Sequence, residues 1–313
     1  MIRHLLVPGL FEPVVSVDGA QVSPRVPALE LVTARADRLP GPEDFTSTAF
    51  ELFGIQKEGE ELPSAAVSYA LATGEAPEGW IMHADPVHLR ADQDRLLLFD
   101  GRGLAIDEAE TAACVAAFNS HFSGDGLVLS APDPGRWYLT LHAPPGVKTT
   151  PLSEVTGRNI NSYLPTGERH AYWHSLLNEV QMLFHGLPLN QARESSGQLP
   201  VSGLWFSGGG RMPARGTTEI RRRIGSDVLI DALAAHSDNR GDDELWIETG
   251  PWRALLDADI QAQIHALQAL DSVLAGWLAQ EIECRLYPCN RSTFHWRPSH
   301  RWRLWRRLRP LWR

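Results

Sequence analysis

Three consecutive glycines followed by an arginine are the residues of this sequence best suited to binding an anion. Gly208, Gly209 and Gly210 come directly after an apolar run at 204–206, which predicts a strand, and Arg211 follows them. Glycines at the exit of a strand let backbone N–H groups converge on an anion, because no Cβ blocks the approach. Arginine adds a planar set of donors for phosphate or carboxylate. The run therefore predicts a phosphate site, and a simple glycine turn after a buried strand is the alternative.

Asp85 and His88 form a second candidate site. They stand three residues apart in the segment Asp-Pro-Val-His, and a carboxylate and an imidazole at this spacing suit a metal pair or an acid–base couple. An aspartate before a proline is also a common cap of a turn. The hydroxyl residues at 46–48, which include Ser47, are typical of a helix N-cap or a turn.

The hydrophobic pattern places these residues on alternating strands and helices. It predicts a first buried strand at 5–7 and helices at 27–39 and 64–73. Two strands, a helix and two further strands follow, at 80–89, 95–101, 107–118, 127–130 and 137–142. The later predicted elements are helices at 168–184, 219–223, 228–236 and 257–280 and strands at 204–206 and 245–248.

The segment from 187 to 213 resembles a known family. Its spacing is Leu187-Pro188-Leu189-Asn190-x-x-Arg193, then Gly197 and Pro200, then Leu204-Trp205-Phe206-x-Gly208-x-Gly210-x-x-Pro213. This pattern is similar to that of the archaeal type of cofactor-independent phosphoglycerate mutases, which belong to the alkaline phosphatase superfamily. It resembles even more closely a smaller bacterial family, the E-type pathogenicity-factor regulatory proteins, which carry the phosphoglycerate mutase label.

The resemblance implies an α/β fold of two parts. We expect an alkaline-phosphatase-like, doubly wound sheet, reduced in size, from residues 1–75 and 205–313, and an inserted α+β domain over 76–204. The predicted order of two strands, a helix and two strands suits the inserted domain. The resemblance is strong across 80–213 and weak at both ends of the chain.

The resemblance also bears on catalysis. In the phosphatase superfamily, two metals held by aspartates and histidines clamp the phosphoryl group and activate a serine or threonine. In the mutases the serine lies just before a turn similar to Leu52-Phe53-Gly54, so the resemblance makes Ser47 the candidate nucleophile, and a helix N-cap or turn is the alternative. Here no aspartate follows the first strand until Asp18, residues 249–253 hold no histidine, and no Asp-His pair follows the last helix. Asp18, Asp85 and His88 are the remaining metal candidates, for manganese or zinc, if the chain is an active enzyme.

The leading hypothesis is a catalytically impaired mutase-like protein that needs no cofactor. It acts by binding a phosphorylated small molecule or as a regulator, through an anion pocket formed by Arg158, Asn190, Arg193, Gly208, Gly209, Gly210 and Arg211. The alternative is an active, metal-dependent phosphoglycerate mutase or phosphohydrolase.

Positive charge is concentrated at the end of the chain. The formal net charge is −9, yet residues 284–313 hold nine arginines and no acidic residue, so residues 1–283 carry −18. An acidic body argues against nucleic acid as a partner. The basic tail spans residues 297–313. A helix over 301–313 would place Leu304, Trp305, Leu308 and Trp312 on one face, which suits binding to a membrane surface or an acidic protein. The alternative is that these side chains pack on the protein's own acidic body.

The sequence has no apolar run of the ~20 residues that a membrane span needs. The apolar run at its start is too short for a signal peptide and is interrupted by Pro8. We therefore expect the protein in the cytoplasm.

Overall fold

The computed structural model describes residues 1–16, 19–57, 59, 61–93 and 95–312. The chain forms two compact units, one from Met1–Ile55 and Arg215–Arg313 and the other from Gln56–Ala214. The sequence places the two boundaries after residues 75 and 204. In the structure the helix Ser64–Thr73 and the strand Gly203–Gly210 lie in the second unit, because both pack against its sheet.

The described residues include thirteen strands and ten α-helices. The strands are β1 (Arg3–Leu6), β2 (Val14–Val15), β3 (Gln21–Val22), β4 (Asp37–Pro40), β5 (Trp80–Asp92), β6 (Arg95–Phe99), β7 (Leu127–Asp133), β8 (Arg136–Leu141), β9 (Gly203–Gly210), β10 (Gly216–Ile224), β11 (Ser237–Ile247), β12 (Cys284–Tyr287) and β13 (Ser292–Trp296). The helices are α1 (Pro27–Arg35), α2 (Phe45–Leu52), α3 (Ser64–Thr73), α4 (Glu108–His121), α5 (Leu152–Val155), α6 (His170–His185), α7 (Pro188–Ser195), α8 (Val228–Ala235), α9 (Gly250–Leu256) and α10 (Ile260–Ala279).

The first unit is built on a six-stranded sheet in the order β10-β11-β1-β12-β13-β4. The first four strands are parallel, and β13 and β4 continue the sheet in antiparallel pairing. On one face Leu5 packs in an apolar cluster with Leu29 of α1 and Leu274 of α10. Leu6 and Leu245, on the opposite face, are also fully buried. Burial on both faces is typical of a parallel sheet between layers of helices, and the predicted mixed α/β class is confirmed.

The second unit is organised around β5, a strand of 13 residues. It is antiparallel to β6, β8 and β9, and β8 pairs in turn with β7. On one face Met82 packs with Phe118 of α4 and Trp173 of α6. On the other face Ile81 packs against Ala65 of α3. The predicted order of two strands, a helix and two strands is present as β5, β6, α4, β7 and β8.

The three glycines lie inside a strand and not at its exit. β9 runs through Gly210, which pairs with Ile81 of β5. A Cβ on Gly208 would lie 2.0 Å from the Ser64 Oγ, and one on Gly210 would lie 2.4 Å from the Cβ of Pro63. Gly208 also has a φ of +62°, which residues with a side chain rarely adopt. The glycines thus serve close packing within the second unit.

Gly208→Ala is expected to destabilise the protein by about 2–4 kcal/mol, because it adds backbone strain to steric overlap with Ser64. Gly74→Ala isolates the strain, since Gly74 has a φ of +77° and nothing within 4 Å of the added Cβ. Gly124→Ala has neither cost. Urea unfolding of the three variants gives the comparison. Equal losses for Gly208→Ala and Gly74→Ala would contradict the tight packing of β9.

The tail does not form the helix that the sequence predicts. It has a 3-10 turn at Pro298–Trp302, and the described residues after it form turns and irregular chain. Pro310 lacks the N–H that a helix would use. Arg303 and Arg306 donate hydrogen bonds to the backbone oxygens of Arg35 and Ala36, at the end of α1. The tail is thereby held along the first unit.

The four apolar residues of the predicted helix face are separated in the structure. Trp312 is only 5% exposed and lies in the apolar cluster of α1 and α10, whereas Trp305 is 76% exposed. Leu304 and Leu308 are exposed as well. Packing onto the protein itself therefore holds for Trp312 and not for the other three. No helix of the described residues is long and apolar enough to cross a bilayer.

Trp312→Ala is expected to lower the free energy of unfolding by about 3 kcal/mol, because it removes a buried aromatic side chain and leaves a cavity. Trp305→Ala is the matched control, since it removes the same side chain from an exposed position and should change stability by less than about 0.5 kcal/mol. Chemical denaturation followed by circular dichroism measures both. Similar losses for the two variants would show that the end of the tail is not part of the core.

Candidate anion-binding site

Asp85 and His88, the predicted acid–base or metal pair, point to opposite faces of β5. Side chains alternate along a strand, so residues three apart do not share a face. Asp85 stands opposite Trp205 of β9. The Nδ1 of His88 lies 3.0 Å from the backbone oxygen of Pro200 and 3.2 Å from the Oγ of Ser202. The structure does not bring the two residues together.

Other polar side chains lie on the same face as Asp85. His83, two residues earlier on β5, shares that face and stands between Ser207 of β9 and Tyr138 of β8, its partners in the strand register. The rings of His83 and Tyr138 are 5.5 Å apart. A hydroxyl, an imidazole, a phenol and a carboxyl thus lie together on three neighbouring strands.

Ser64, in the first turn of α3, adds a second hydroxyl to this group. Its Oγ and the Cδ2 of His83 lie 2.0 and 3.2 Å from the point that a Cβ of Gly208 would occupy. Nothing in the sequence alone marks His83 or Ser64 as functional residues. Strand register and the packing of α3 bring them together, and no spacing along the chain signals that.

Burial sets the protonation of this group. Removal from water raises the pKa of Asp85 to about 7, and the nearby charge of Asp100 adds to the shift. Removal from water lowers the pKa of His83 to about 4, so its imidazole is neutral at neutral pH. The group can exchange protons or hydrogen-bond a polar ligand near pH 7, and it lacks the positive charge that would attract an anion.

Ser47, the candidate nucleophile, lies in the first turn of α2 in the first unit and contacts the residue that caps this helix. Its backbone N–H and its Oγ donate to the two carboxylate oxygens of Asp44, at 2.7 and 2.9 Å. Asp44 is the N-cap residue of α2. This hydroxyl is therefore part of the hydrogen bonding that caps the helix. Asp85 and His88 belong to the other unit.

Asn190 and Arg193 of the predicted anion pocket are buried and bonded within the second unit. The Asn190 amide donates to the backbone oxygens of Phe184 and Val201 and accepts from the N–H of Val201, at 2.8 to 2.9 Å. The guanidinium of Arg193 donates to Glu110 at 2.6 Å and to the backbone oxygens of Leu199 and Leu104. These contacts tie α7 to its surroundings, so both residues are structural here.

Arg158 and Arg211 lie on the surface of the second unit, each beside an aromatic ring. Arg158 donates to the hydroxyl of Tyr163 at 3.0 Å, and the guanidinium of Arg211 lies 5.5 Å from the ring centre of Trp80. The N–H of Gly209 donates to the carboxylate of Glu61 at 3.1 Å. The predicted phosphate site needs the backbone N–H groups of the glycine run as donors. One of these N–H groups already donates to a carboxylate of the protein.

The carboxyl end of the parallel strands, where doubly wound proteins hold their ligands, does not fit a two-metal site. Beyond β1, the Cβ position of Gly9 is filled by the ring of Trp252, 2.5 Å away. Beyond β11, the Glu248 carboxylate accepts a hydrogen bond from the N–H of Gly250. Within the described ranges, no three His, Cys, Asp or Glu side chains are placed to hold a metal ion. Asp18 lies outside the described residues.

A groove in the first unit gathers arginines from the tail. Its volume is about 470 Å³, and its lining includes Arg306, Arg307, Arg309, Trp305, Phe11 and Thr33. Arg307 and Arg309 form no hydrogen bond or ion pair with the part of the chain that the structure describes. Two guanidinium groups at a cavity, without an acidic partner among the described residues, attract anions.

Asp37 holds the tail that forms one wall of this groove. Arg303 donates to its Oδ1 at 2.5 Å, and Arg297 and His300 lie 3.5 Å from its other oxygen. The hydrogen bond from Arg303, together with the nearby cations, lowers the pKa of Asp37 below its ordinary value. The carboxylate stays ionised, so the wall is held in place at neutral pH. The interleaved arginines and tryptophans predict a binding tail from the sequence alone. The pairing of the tail with Asp37 and the cavity are visible only in the structure.

The raised pKa of Asp85 predicts a stability that depends on pH. The folded carboxyl keeps a proton that the unfolded one releases, so stability falls as pH rises from about 4 to about 7 and stays low above that. Asp85→Asn carries no proton to lose. It is therefore expected to exceed the wild type in stability by on the order of 2 kcal/mol near pH 8, and by little near pH 4.

Urea unfolding across this pH range measures the effect of Asp85→Asn. Asp92→Asn removes an exposed carboxyl from the same strand and is the control. A difference between Asp85→Asn and the wild type that does not change with pH would contradict a desolvated carboxyl at this position.

Comparison with known proteins relates part of this chain to phosphoglycerate mutases. No family model matches it. Over 132 residues, 41% of the chain, it is 24% identical to a probable 2,3-bisphosphoglycerate-independent phosphoglycerate mutase of Geobacter sulfurreducens. The match spans 33% of that relative, about a third of its length.

Two solved structures are also similar to this chain, each at 14% identity. The PH0037 protein of Pyrococcus horikoshii aligns with a TM-score of 0.48 and covers 93% of this chain and 86% of its own. The cofactor-independent phosphoglycerate mutase of Thermoplasma acidophilum aligns with a TM-score of 0.37, and the alignment covers 94% of this chain and 89% of that protein's chain. Scores of this size do not establish a shared fold. The chain is phosphoglycerate mutase-like over part of its length, and closeness to the E-type regulatory proteins stays a prediction.

Proposed function

We propose that this protein is a phosphoglycerate mutase-like protein with impaired catalysis, which binds a phosphorylated small molecule in the tail groove and acts as a regulator. The groove carries the proposal, because the guanidinium groups of Arg306, Arg307 and Arg309 line a cavity of about 470 Å³. Cavities of roughly 300–1,000 Å³ hold small-molecule ligands. The planar donors of a guanidinium match the oxygens of a phosphate.

The three arginines differ in a way that suits one ligand. Arg306 donates through one nitrogen to the backbone oxygen of Ala36 at 2.6 Å, which fixes its position and leaves its other N–H groups for a ligand. Arg307 and Arg309, free of partners among the described residues, supply uncompensated charge. Apolar walls from Phe11 and Trp305 suit the carbon skeleton that carries the phosphate.

This proposal moves the phosphate site away from the glycine run. The polar side-chain atoms of Asn190 and Arg193 form hydrogen bonds with the protein itself. The backbone N–H of Gly209 donates to the carboxylate of Glu61. Arg158 and Arg211 are exposed beside separate aromatic rings. In the tail groove, by contrast, several arginines line one cavity.

Two placements support impaired catalysis. Ser47 donates its hydroxyl to a helix-capping carboxylate, and Asp85 and His88 face opposite sides of a strand. Phosphoryl transfer needs counter-charges placed against the oxygens of the transition state. The described carboxylates and imidazoles do not form such a set around a hydroxyl. An active, metal-dependent mutase or phosphohydrolase remains the alternative.

3-Phosphoglycerate is expected to raise the melting temperature of the wild-type protein with increasing dose, because a ligand that binds only the folded state stabilises it. The double variant Arg307→Ala, Arg309→Ala should lose most of this shift. Arg158→Ala combined with Arg211→Ala removes two exposed arginines outside the groove and should keep it. Inorganic phosphate, as a second probe, separates phosphate binding from recognition of the whole molecule.

Differential scanning fluorimetry measures these shifts. A shift that survives in the groove variant and disappears in the control would place the site at the predicted pocket and overturn the proposal. Turnover of 3-phosphoglycerate to 2-phosphoglycerate in the presence of manganese or zinc, followed by phosphorus NMR, would instead support the alternative enzyme.

A further inference from the structure

We infer that the tail docks on an anionic phospholipid bilayer, with a lipid phosphate in the arginine groove and the neighbouring apolar side chains in the membrane interface. The inference rests on the proposed function, because the same arginines hold the phosphate. It goes further by naming a lipid headgroup as the source of that phosphate.

Four large apolar side chains of the tail are exposed within seven positions of the sequence. Their exposed fractions are 66% for Trp302, 68% for Leu304, 76% for Trp305 and 49% for Leu308. The other large exposed apolar residues among those described, such as Met182, are scattered along the chain. Exposed apolar residues gathered in one place mark interaction sites.

These side chains are held in their exposed positions. Before them, Arg301 pairs with Glu281 at 2.7 Å, and between them Arg303 pairs with Asp37 at 2.5 Å. After them, Trp312 is buried in the cluster of α1 and α10. The tail therefore keeps its apolar side chains in solvent as part of the folded first unit.

The charge of the same segment complements an anionic surface. Described residues 297–312 contain six arginines and no acidic residue. Three of them, Arg297, Arg301 and Arg303, pair with acidic residues of the first unit. Arg307 and Arg309 have no such partner among the described residues and line the groove beside Trp305. Basic side chains in this position are attracted to anionic lipid headgroups.

The chemistry of the segment favours a bilayer over an acidic protein. Tryptophan has an apolar ring with one polar N–H and prefers the boundary between headgroups and acyl chains. Interleaved arginines and apolar residues suit that boundary, because the arginines can contact the headgroups while the apolar side chains contact the acyl chains. Protein partners commonly recognise a helix face or an added strand, and described residues 303–312 form neither.

Vesicle sedimentation tests the inference on the full-length protein. The wild type is expected to sediment with vesicles of phosphatidylcholine and phosphatidylglycerol in equal parts, and not with vesicles of phosphatidylcholine alone. The triple variant Trp302→Ser, Leu304→Ser, Leu308→Ser changes exposed positions that do not line the groove, so the fold and the groove are retained. It should bind the anionic vesicles on the order of tenfold more weakly and keep its thermal shift with 3-phosphoglycerate.

Two further variants complete the design. Met182→Ser removes an apolar side chain of the second unit that is as exposed as Trp305, and should sediment like the wild type. The double variant Arg307→Ala, Arg309→Ala should lose both vesicle binding and the thermal shift. Blue-shifted tryptophan fluorescence on vesicle addition, absent in Trp305→Ser, would support insertion of the ring.

The outcomes separate this inference from the proposed function. A thermal shift with 3-phosphoglycerate but no sedimentation with anionic vesicles overturns the membrane inference alone. Sedimentation that depends on Arg307 and Arg309, without any thermal shift, supports the inference and overturns the small-molecule ligand. Sedimentation unchanged in the triple variant, or abolished by equimolar polyglutamate, overturns interfacial insertion and favours an acidic protein partner.

Discussion

The burial of Trp312 is the interaction on which the tail, and therefore the proposed site, depends. A tryptophan side chain contributes a large apolar area to a core, and this one lies in the cluster that joins α1 and α10 to the sheet of the first unit. Pro310, two residues earlier, prevents a regular helix from ending there. The chain must then run along the surface, where Arg303 and Arg306 reach the end of α1. The groove forms because this path leaves space between the tail and Phe11.

Strand geometry accounts for what the second unit does with its chemically active residues. Alternation along β5 puts Asp85 on the face of His83 and turns His88 to the other side. Asp85 and His88 look like a pair in the sequence, because a sequence shows only their spacing along the chain and not the face on which each lies. Ser64 approaches His83 through the packing of α3, which depends on Gly208 having no side chain. The glycine run predicts an anion site from the sequence. In the structure it allows close packing between a helix and a sheet.

Much of the fold was predictable because strands and helices depend on neighbouring residues. The predicted strands at 80–89 and 137–142 correspond to β5 and β8, and the helix at 257–280 corresponds to α10. The predicted helix at 219–223 is wrong, because these residues lie in β10, which pairs with β11. The candidate site was less predictable, because buried donors that stabilise a fold have the same residue types as donors that bind a ligand. Asn190 satisfies three backbone hydrogen bonds at the start of the pattern that resembles the mutases. Such a pattern can therefore mark a shared local structure without marking a shared phosphate site.

The uneven charge of the chain gives the inferred membrane contact an orientation. Residues 1–283 carry a net −18, so most of the protein is repelled by an anionic surface, while the nine arginines after them are attracted. At physiological ionic strength charges are screened over roughly 8 Å, so attraction acts only where the tail itself meets the headgroups. A patch of small area can then bind the surface only if apolar contact adds to the charge. Trp305, which is exposed and lines the arginine groove, supplies that contact together with the exposed Leu304 before it in the sequence. The charge and the apolar side chains are therefore informative together, and neither would be alone.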